Sequence, residues 1–164
     1  MQQIKLENKG TFTLVDDDMY VALCRLRWWE SAQGYACTTL WEDGKSAGIS
    51  MHRMIMQMKG HEIKGLSIDH INHNPLDNRI ENLRVCTQSQ NSANSRKSKS
   101  IATYSQYKGV SFRKDTKRWI ATIRVKRKQI HLGYFDTEAE AAAAYNQAAL
   151  KYFGEFAHLN TILL

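Results

Sequence analysis

The chain is poor in cysteine, has no long apolar run, and in one stretch is nearly without acids. Its three cysteines, Cys24, Cys37 and Cys86, stand too far apart to make a short zinc-ligand pair, and no Cys-x-x-Cys sequence occurs. A structural zinc is therefore not expected, and the thiols read as reduced and buried in a cytoplasmic protein. No apolar run follows a basic start, and none approaches the roughly 20 residues that a membrane span needs. The expectation is a soluble, intracellular protein with no membrane partner. Between Lys108 and Lys128 the only acid is Asp115.

What is present is charge of one sign, placed unevenly. The 164 residues are 43% apolar, enough for one ordinary domain or two small ones with modest cores. The formal net charge is +7 and the pI near 9.4, which points to a polyanionic partner. Residues 1–66 hold eight Lys/Arg against eight Asp/Glu, residues 67–106 five against three, and residues 107–164 ten against five. The basic excess therefore grows towards the C-terminus.

Alternation and turn signals divide the chain. Short strands are expected at Ile4–Leu6 and Thr11–Val15, and Asp16 with its neighbours is placed to cap a helix reaching about Leu26. Tyr35–Trp41 and Lys45–Ile49 flank the hairpin signal Glu42-Asp43-Gly44. Met51–Met58 reads as a helix ended by Gly60, its methionines serving as packing. Leu66–Asp69 and Leu83–Cys86 are short strands joined by an asparagine-rich loop. Thr87-Gln88-Ser89-Gln90 has the form of a capping box, so a helix should open at Gln88. Residues 96–106 are basic and polar, a flexible connector. Three strands follow, at Lys108–Arg113, Trp119–Val125 and Lys128–Tyr134. A second capping box at Thr137–Glu140 opens a helix to about Phe153, with Ala141, Ala142, Tyr145, Ala148, Ala149 and Tyr152 as a packing stripe.

Within that frame, the run from Asp69 to Asn91 carries chemistry. Phosphodiester hydrolysis needs a deprotonated water, charge neutralisation at the phosphate and a stabilised leaving oxygen. Asp69 offers a hard oxygen ligand for a cation. His70, its neighbour on an extended chain, points to the opposite side and is free to face water. Asn91, on the following helix, offers a second oxygen, leaving the other positions to water and phosphate, a pattern natural to Mg²⁺. An isolated Asp-His pair is usually accidental; here four positions stand in register over more than twenty residues.

These residues, Asp69-His70, Asn82 within Asn-Leu-Arg, and Asn91, resemble the HNH endonucleases, in particular the branch found in phage and intron homing enzymes. Met51-His52-Arg53-Met54-Ile55 is similar to the segment those proteins carry before the motif. The resemblance implies a ββα-metal finger over about residues 66–95. It casts His70 as general base, Asp69 and Asn91 as metal ligands, and Asn82 as the residue that pins the loop so that His70 is correctly aimed. The archetypal third histidine is Asn91 here, which suits magnesium or manganese better than zinc or nickel. His73 stands where relatives commonly have glycine, which should strain the loop. His52 reads as structural, whereas Arg53 and Arg84 are open between framework and phosphate contact.

Tyr107-Lys108-Gly109-Val110, Trp119-Ile120-Ala121, Leu132-Gly133-Tyr134-Phe135, Glu140-Ala141-Ala142 with Tyr145, and Gly154-Glu155-Phe156-Ala157-His158-Leu159-Asn160 resemble an AP2 domain over residues 107–160. That family implies a three-stranded antiparallel sheet for the major groove, braced by a helix. Carried across, Lys108, Ser111, Arg113, Thr122, Arg124, Gln129 and His131 fall on the DNA-facing side. Arg113 and Arg124 are candidates for guanine edges, and Lys108, Lys126 and Lys128 for phosphates. For Thr122 and Gln129 an ordinary solvated strand face is the alternative. Trp119 shares a face with Ala121 and Ile123 and reads as core.

The expectation is thus an α+β chain. A β-rich nuclease domain with its finger spans residues 1–95, a basic linker 96–106, and an AP2-like sheet-and-helix domain 107–160. Its partner is double-stranded DNA, its cofactor a divalent metal, Mg²⁺ or Mn²⁺, and it acts as a monomer or a DNA-induced dimer. With one finger it should nick one strand. A DNA-binding regulator that no longer cuts is the alternative.

Overall fold

The computed structural model describes residues 1–97 and 105–162. The expected connector falls largely on residues 98–104, outside the described residues. The chain is α+β and divides into two compact units, Met1–Thr87 and Gln88–Leu164. That boundary lies ahead of the expected helix at Gln88 rather than after residue 95, because the helix packs with the C-terminal elements.

In the first unit, β1 (Gln2–Lys5) and β2 (Phe12–Val15) form an antiparallel hairpin. Thr13 and Val15 of β2 are buried, and the strand's open edge takes a later loop: Leu14 N–H donates to Leu76 O (2.8 Å) and Asn78 N–H to Leu14 O (2.9 Å). Helix α1 (Asp17–Leu23) is shorter than expected. Asp16 makes no side-chain cap bond; its carboxylate instead accepts from Ile80 N–H at 2.7 Å, a partner 64 residues away. A three-stranded sheet follows, of β3 (Trp29–Glu30), β4 (Ala36–Glu42) and β5 (Lys45–Ser50), in the order β3-β4-β5. Asp43 and Gly44, both at positive φ (50° and 73°), make the two-residue turn that the hairpin signal calls for.

Helix α2 (Met51–Met58) buries Met51, Ile55 and Met56 against Ile4, Leu6, Val15, Leu23 and Trp28. Met51 and Met56 fill the core and Met54 packs against it, as the sequence suggests, whereas Met58 is 47% exposed. Strands β6 (Ser67–His70) and β7 (Leu83–Cys86) pair antiparallel, with Asp69 opposite Arg84 and His70 opposite Leu83. A 3-10 turn at Ile80–Asn82 leads into β7.

The second unit opens with α3 (Gln88–Asn94), starting where expected. Strands β8 (Val110–Arg113), β9 (Arg118–Val125) and β10 (Lys128–Phe135) form an antiparallel sheet in the order β10-β9-β8. Helix α4 (Glu138–Phe153) lies on one face of it. Its capping box is complete: Glu140 N–H donates to Thr137 Oγ1 and Thr137 N–H to Glu140 Oε2. Such a cap stabilises a helix by about 1 kcal/mol. Ala141, Ala142, Tyr145, Ala148 and Ala149 are buried against Ala121 and Ile123, small side chains that let the helix sit close. Burial pushes the Tyr145 phenol up to about 12. Gly109 completes the contact: at φ 74°, a Cβ there would lie 2.1 Å from the Tyr145 ring.

Two expectations are corrected by burial. Tyr152 is 41% exposed, although it lies on the face of α4 that carries Tyr145, seven residues earlier. Cys24 is exposed just past the end of α1 and Cys37 half-buried, so of the three thiols Cys86 alone is buried; none of the three is in a disulfide.

Candidate active site and nucleic-acid interface

Strand β6 delivers Asp69 and His70 to opposite sides of the chain, and both are buried. On one side the Asp69 carboxylate takes two bonds on Oδ2 from Arg84, from Nε at 2.9 Å and Nη2 at 2.7 Å. Cross-strand register brings this pair together. Arg84, left open between framework and phosphate contact, thus sits on the carboxylate expected to bind metal.

On the other side the His70 ring meets His52 edge-on (centroids 5.1 Å apart) and Tyr35 (5.9 Å). Its Nε2 lies 3.3 Å from Asn78 Oδ1. Burial lowers the His70 pKa, opposed by the Asn78 bond and the nearby Asp69 and Asp77 carboxylates, so the imidazole is held towards its neutral form. His52, more strongly affected, is pushed down to about 3 by burial, then by His70 and Arg53. Its Nε2 is bonded to Ser50 Oγ at 3.0 Å, while its Nδ1 is buried without a partner.

The asparagine-rich loop between β6 and β7 is braced from within. Asn82 Oδ1 accepts from Asn72 N–H (2.9 Å), and Asn82 Nδ2 donates to Asp77 O (2.8 Å). Asn82 therefore ties both arms of the loop. Asn72 and Asn74 each fold back on a backbone N–H two residues on, the turn-forming habit of asparagine. Asp77, held well below the usual carboxylate range chiefly by Arg79, takes both arms of that guanidinium at 2.7 Å. His73 has φ 62°, so a side chain occupies a left-handed position that glycine would fill without strain. Arg53, from α2, donates to Leu66 O (3.1 Å) and Ile63 O (3.2 Å), fastening the approach to β6. Asn91 lies half-buried on α3 in the second unit.

In the second unit, the sheet face away from α4 carries Ser111, Arg113, Arg124, Gln129 and His131, all exposed, with Thr122 half-buried among them. Register sets Arg124 opposite Gln129 and Thr122 opposite His131. Arg113 is paired with Asp115 at 2.7 Å on the open surface. Lys128 is exposed at the start of β10, and exposed Lys126 stands in the turn rather than on a strand. Lys108 departs from expectation. Its ammonium donates to Ser92 O (3.1 Å), Ala93 O (2.6 Å) and Ser95 O (2.7 Å), capping the C-terminal end of α3. Burial lowers its pKa to about 8. Its charge is engaged by backbone carbonyls, whereas the resemblance expects it at a phosphate.

Residues 50–93 match the family model described as HNH endonuclease, and residues 105–155 the one described as AP2 domain. An uncharacterised HNH endonuclease, L560, of Acanthamoeba polyphaga mimivirus is 34% identical over 157 residues, 94% of this chain and 77% of that protein. The chain belongs to the HNH endonuclease family. The AP2-like ethylene-responsive transcription factor TOE2 of Arabidopsis thaliana is 46% identical over 59 residues, 36% of this chain and 12% of that protein. A solved structure concerning DNA binding and cleavage by the HNH homing endonuclease I-HmuI is also similar, at 26% identity and TM-score 0.38, over 56% of this chain and 46% of that one.

This HNH endonuclease therefore carries its nuclease motif first and an AP2 domain behind it. HNH endonucleases as a family depend on a divalent metal. The donors named from the sequence are a carboxylate and an amide oxygen, hard ligands that suit Mg²⁺ or Mn²⁺. Residue identities thus fit a cation that keeps most of its own water.

Sequence reasoning missed several residues of this HNH endonuclease. Asn78 and Thr13, among the most buried polar side chains, stand behind His70. On the AP2 sheet it missed Arg118, exposed and paired with Asp136 at 2.9 Å, and Tyr134, whose ring lies 4.8 Å from that of His131. A register shift between His131 and Gly133 turns Tyr134 onto the outer face.

Proposed function

We propose that this chain is a metal-dependent, site-specific DNA endonuclease of the homing type, which nicks duplex DNA as a monomer. The observation that carries the reading is the buried Asp69–His70 pair, whose members are held by different partners on opposite sides of β6. Asp69 and Asn91 are the assigned metal ligands, and Mg²⁺ is the assigned ion. When bound, the cation would neutralise the phosphate and stabilise the departing 3′ oxygen.

The chain's own residues supply the rest. His70, kept neutral by burial, accepts a proton from water. The resulting hydroxide attacks phosphorus, the P–O3′ bond breaks, and the 3′ oxygen leaves with its electron pair and takes a proton from solvent. Asn82 keeps the loop closed so that the imidazole does not swing. Arg113, Arg124, Lys126 and Lys128, with Ser111, Thr122, Gln129 and His131, form the surface on which duplex DNA is held, and Arg113 and Arg124 are the residues assigned to guanine edges. Arg53 and Arg84 stay with the framework by the bonds they make. One site per chain suits one strand, so the product is a nick.

Nicking of supercoiled DNA with Mg²⁺, with Mn²⁺ and with EDTA tests the reading. His70→Ala should lose at least about a hundredfold in rate while binding DNA as before, the usual scale for a general base. Asp69→Ala should lose the metal-stimulated rate. Undiminished cutting by both variants would sink the assignment. Salt-sensitive binding without nicking under any divalent ion would replace it with a regulator that binds and does not cut.

A further inference from the structure

The surroundings of His70 carry a consequence that the motif does not contain. Asn78 is 1% exposed and Thr13 fully buried, and they are 65 residues apart in sequence. Thr13 Oγ1 lies 2.8 Å from Leu76 O, a backbone carbonyl that can only accept. The hydroxyl's single proton is directed there, since the other acceptor in reach, the Met51 thioether sulfur at 3.8 Å, is weak and farther away. Towards Asn78 the hydroxyl oxygen can therefore only accept, and the atom 2.7 Å from it must be the amide nitrogen Nδ2. That orientation leaves Oδ1, an acceptor alone, 3.3 Å from His70 Nε2. The imidazole must then carry its proton on Nε2.

We infer that Asn78, oriented by Thr13, is a positioning residue for His70: its amide oxygen, an acceptor alone, holds the ring in the Nε2–H tautomer. The inference rests on the reading of His70 as general base. Its anchor lies outside the finger, because Thr13 and Leu14 of β2 hold residues 76–78 by side chain and by backbone. The N-terminal hairpin thus sets which ring nitrogen of the active-site histidine is basic.

The test is ¹⁵N–¹H long-range correlation on the full chain labelled at histidine, at neutral pH and without metal, with Asn78→Leu, Asn78→Asp and Thr13→Val beside the wild type. The wild-type His70 should show a protonated Nε2 and an unprotonated Nδ1. Asn78→Asp keeps an acceptor and should keep that pattern. Asn78→Leu should give a mixture of tautomers and lower kcat for Mg²⁺-supported nicking by about 10- to 100-fold with KM unchanged, the scale of lost outer-shell partners. Thr13→Val, which frees the amide to turn over, should show a smaller loss in the same direction. A wild-type Nδ1–H tautomer overturns the inference without recourse to any variant, even one that fails to fold. So does an Asn78→Leu protein that nicks at the wild-type kcat. Because the tautomer is read without DNA or metal, its failure is distinct from a failure of the wild type to cut.

Discussion

Arg84 and Asp69 pose a question of charge at the single-residue scale. Their pair is mostly buried, with side-chain exposures of 14% and 6%, and the guanidinium holds Oδ2 of the carboxylate that is proposed to bind metal. Breaking a buried pair by removing one partner destabilises a protein by about 3 kcal/mol, since the remaining charge stays desolvated. Arg84→Met should therefore lower Tm in the absence of metal, and added Mg²⁺ should raise the variant's Tm by more than it raises the wild type's. Calorimetry over a Mg²⁺ titration checks this; equal shifts in the two proteins would separate Asp69 from the metal. The pair also shows what is legible at this scale. Asp69, His70, Asn82 and Asn91 can be proposed from the sequence because their spacing is local and their chemistry is specific. Thr13, Asn78 and the grip of Arg84 cannot, because each depends on a partner brought close by strand pairing or by a hairpin far away in sequence. The left-handed φ at His73 lay between these cases, visible as an unexpected residue in a turn.

At the scale of elements, turns and caps were readable wherever the signal was satisfied locally. The Asp43-Gly44 turn, the Thr137–Glu140 box and the start of α3 at Gln88 are cases of this kind. Asp16 has the same chemical aptitude for capping, yet it serves Ile80, and α1 starts without it. β3 is two residues long, too short for alternation to announce. Tyr134 reaches the outer face because one extra residue in β10 reverses the alternation beyond it, which the sequence does not announce. The β9–β10 turn offers a test. Val125 pairs with Lys128 across Lys126 and Arg127, which have φ 47° and 65°. Non-glycine residues in the left-handed region cost roughly 1 kcal/mol each, and this turn type favours Asn-Gly. The double replacement Lys126→Asn with Arg127→Gly should stabilise the sheet by about 1 kcal/mol, seen as roughly fivefold slower hydrogen exchange in β9 and β10. DNA affinity should fall in the same protein, because two positive charges leave the binding surface. Faster exchange would mean that these residues make native contacts worth more than the strain they carry.

For the whole molecule, the division into units assigns the charge. Met1–Thr87 contains ten Lys/Arg and eleven Asp/Glu, whereas Gln88–Leu164 contains thirteen and five. The entire positive balance therefore belongs to the unit with the AP2 domain, and the electrostatic share of DNA binding belongs there too. Affinity should fall steeply with salt, and each phosphate contact removed should flatten the plot of log K against log salt by about 0.9. Lys128→Ala should lower that slope by about one contact. Arg53→Ala should leave it unchanged, since its guanidinium is occupied by Leu66 O and Ile63 O. Lys108→Met is the discriminating case. The residue sits where the AP2 resemblance expects a DNA contact, yet its ammonium is committed to three carbonyls at the end of α3. Its replacement should weaken α3, seen as faster exchange of that helix's amides, while the salt slope holds at the wild-type value. A slope reduced by a full contact would return Lys108 to the phosphates and show that the lysine leaves α3 when DNA binds.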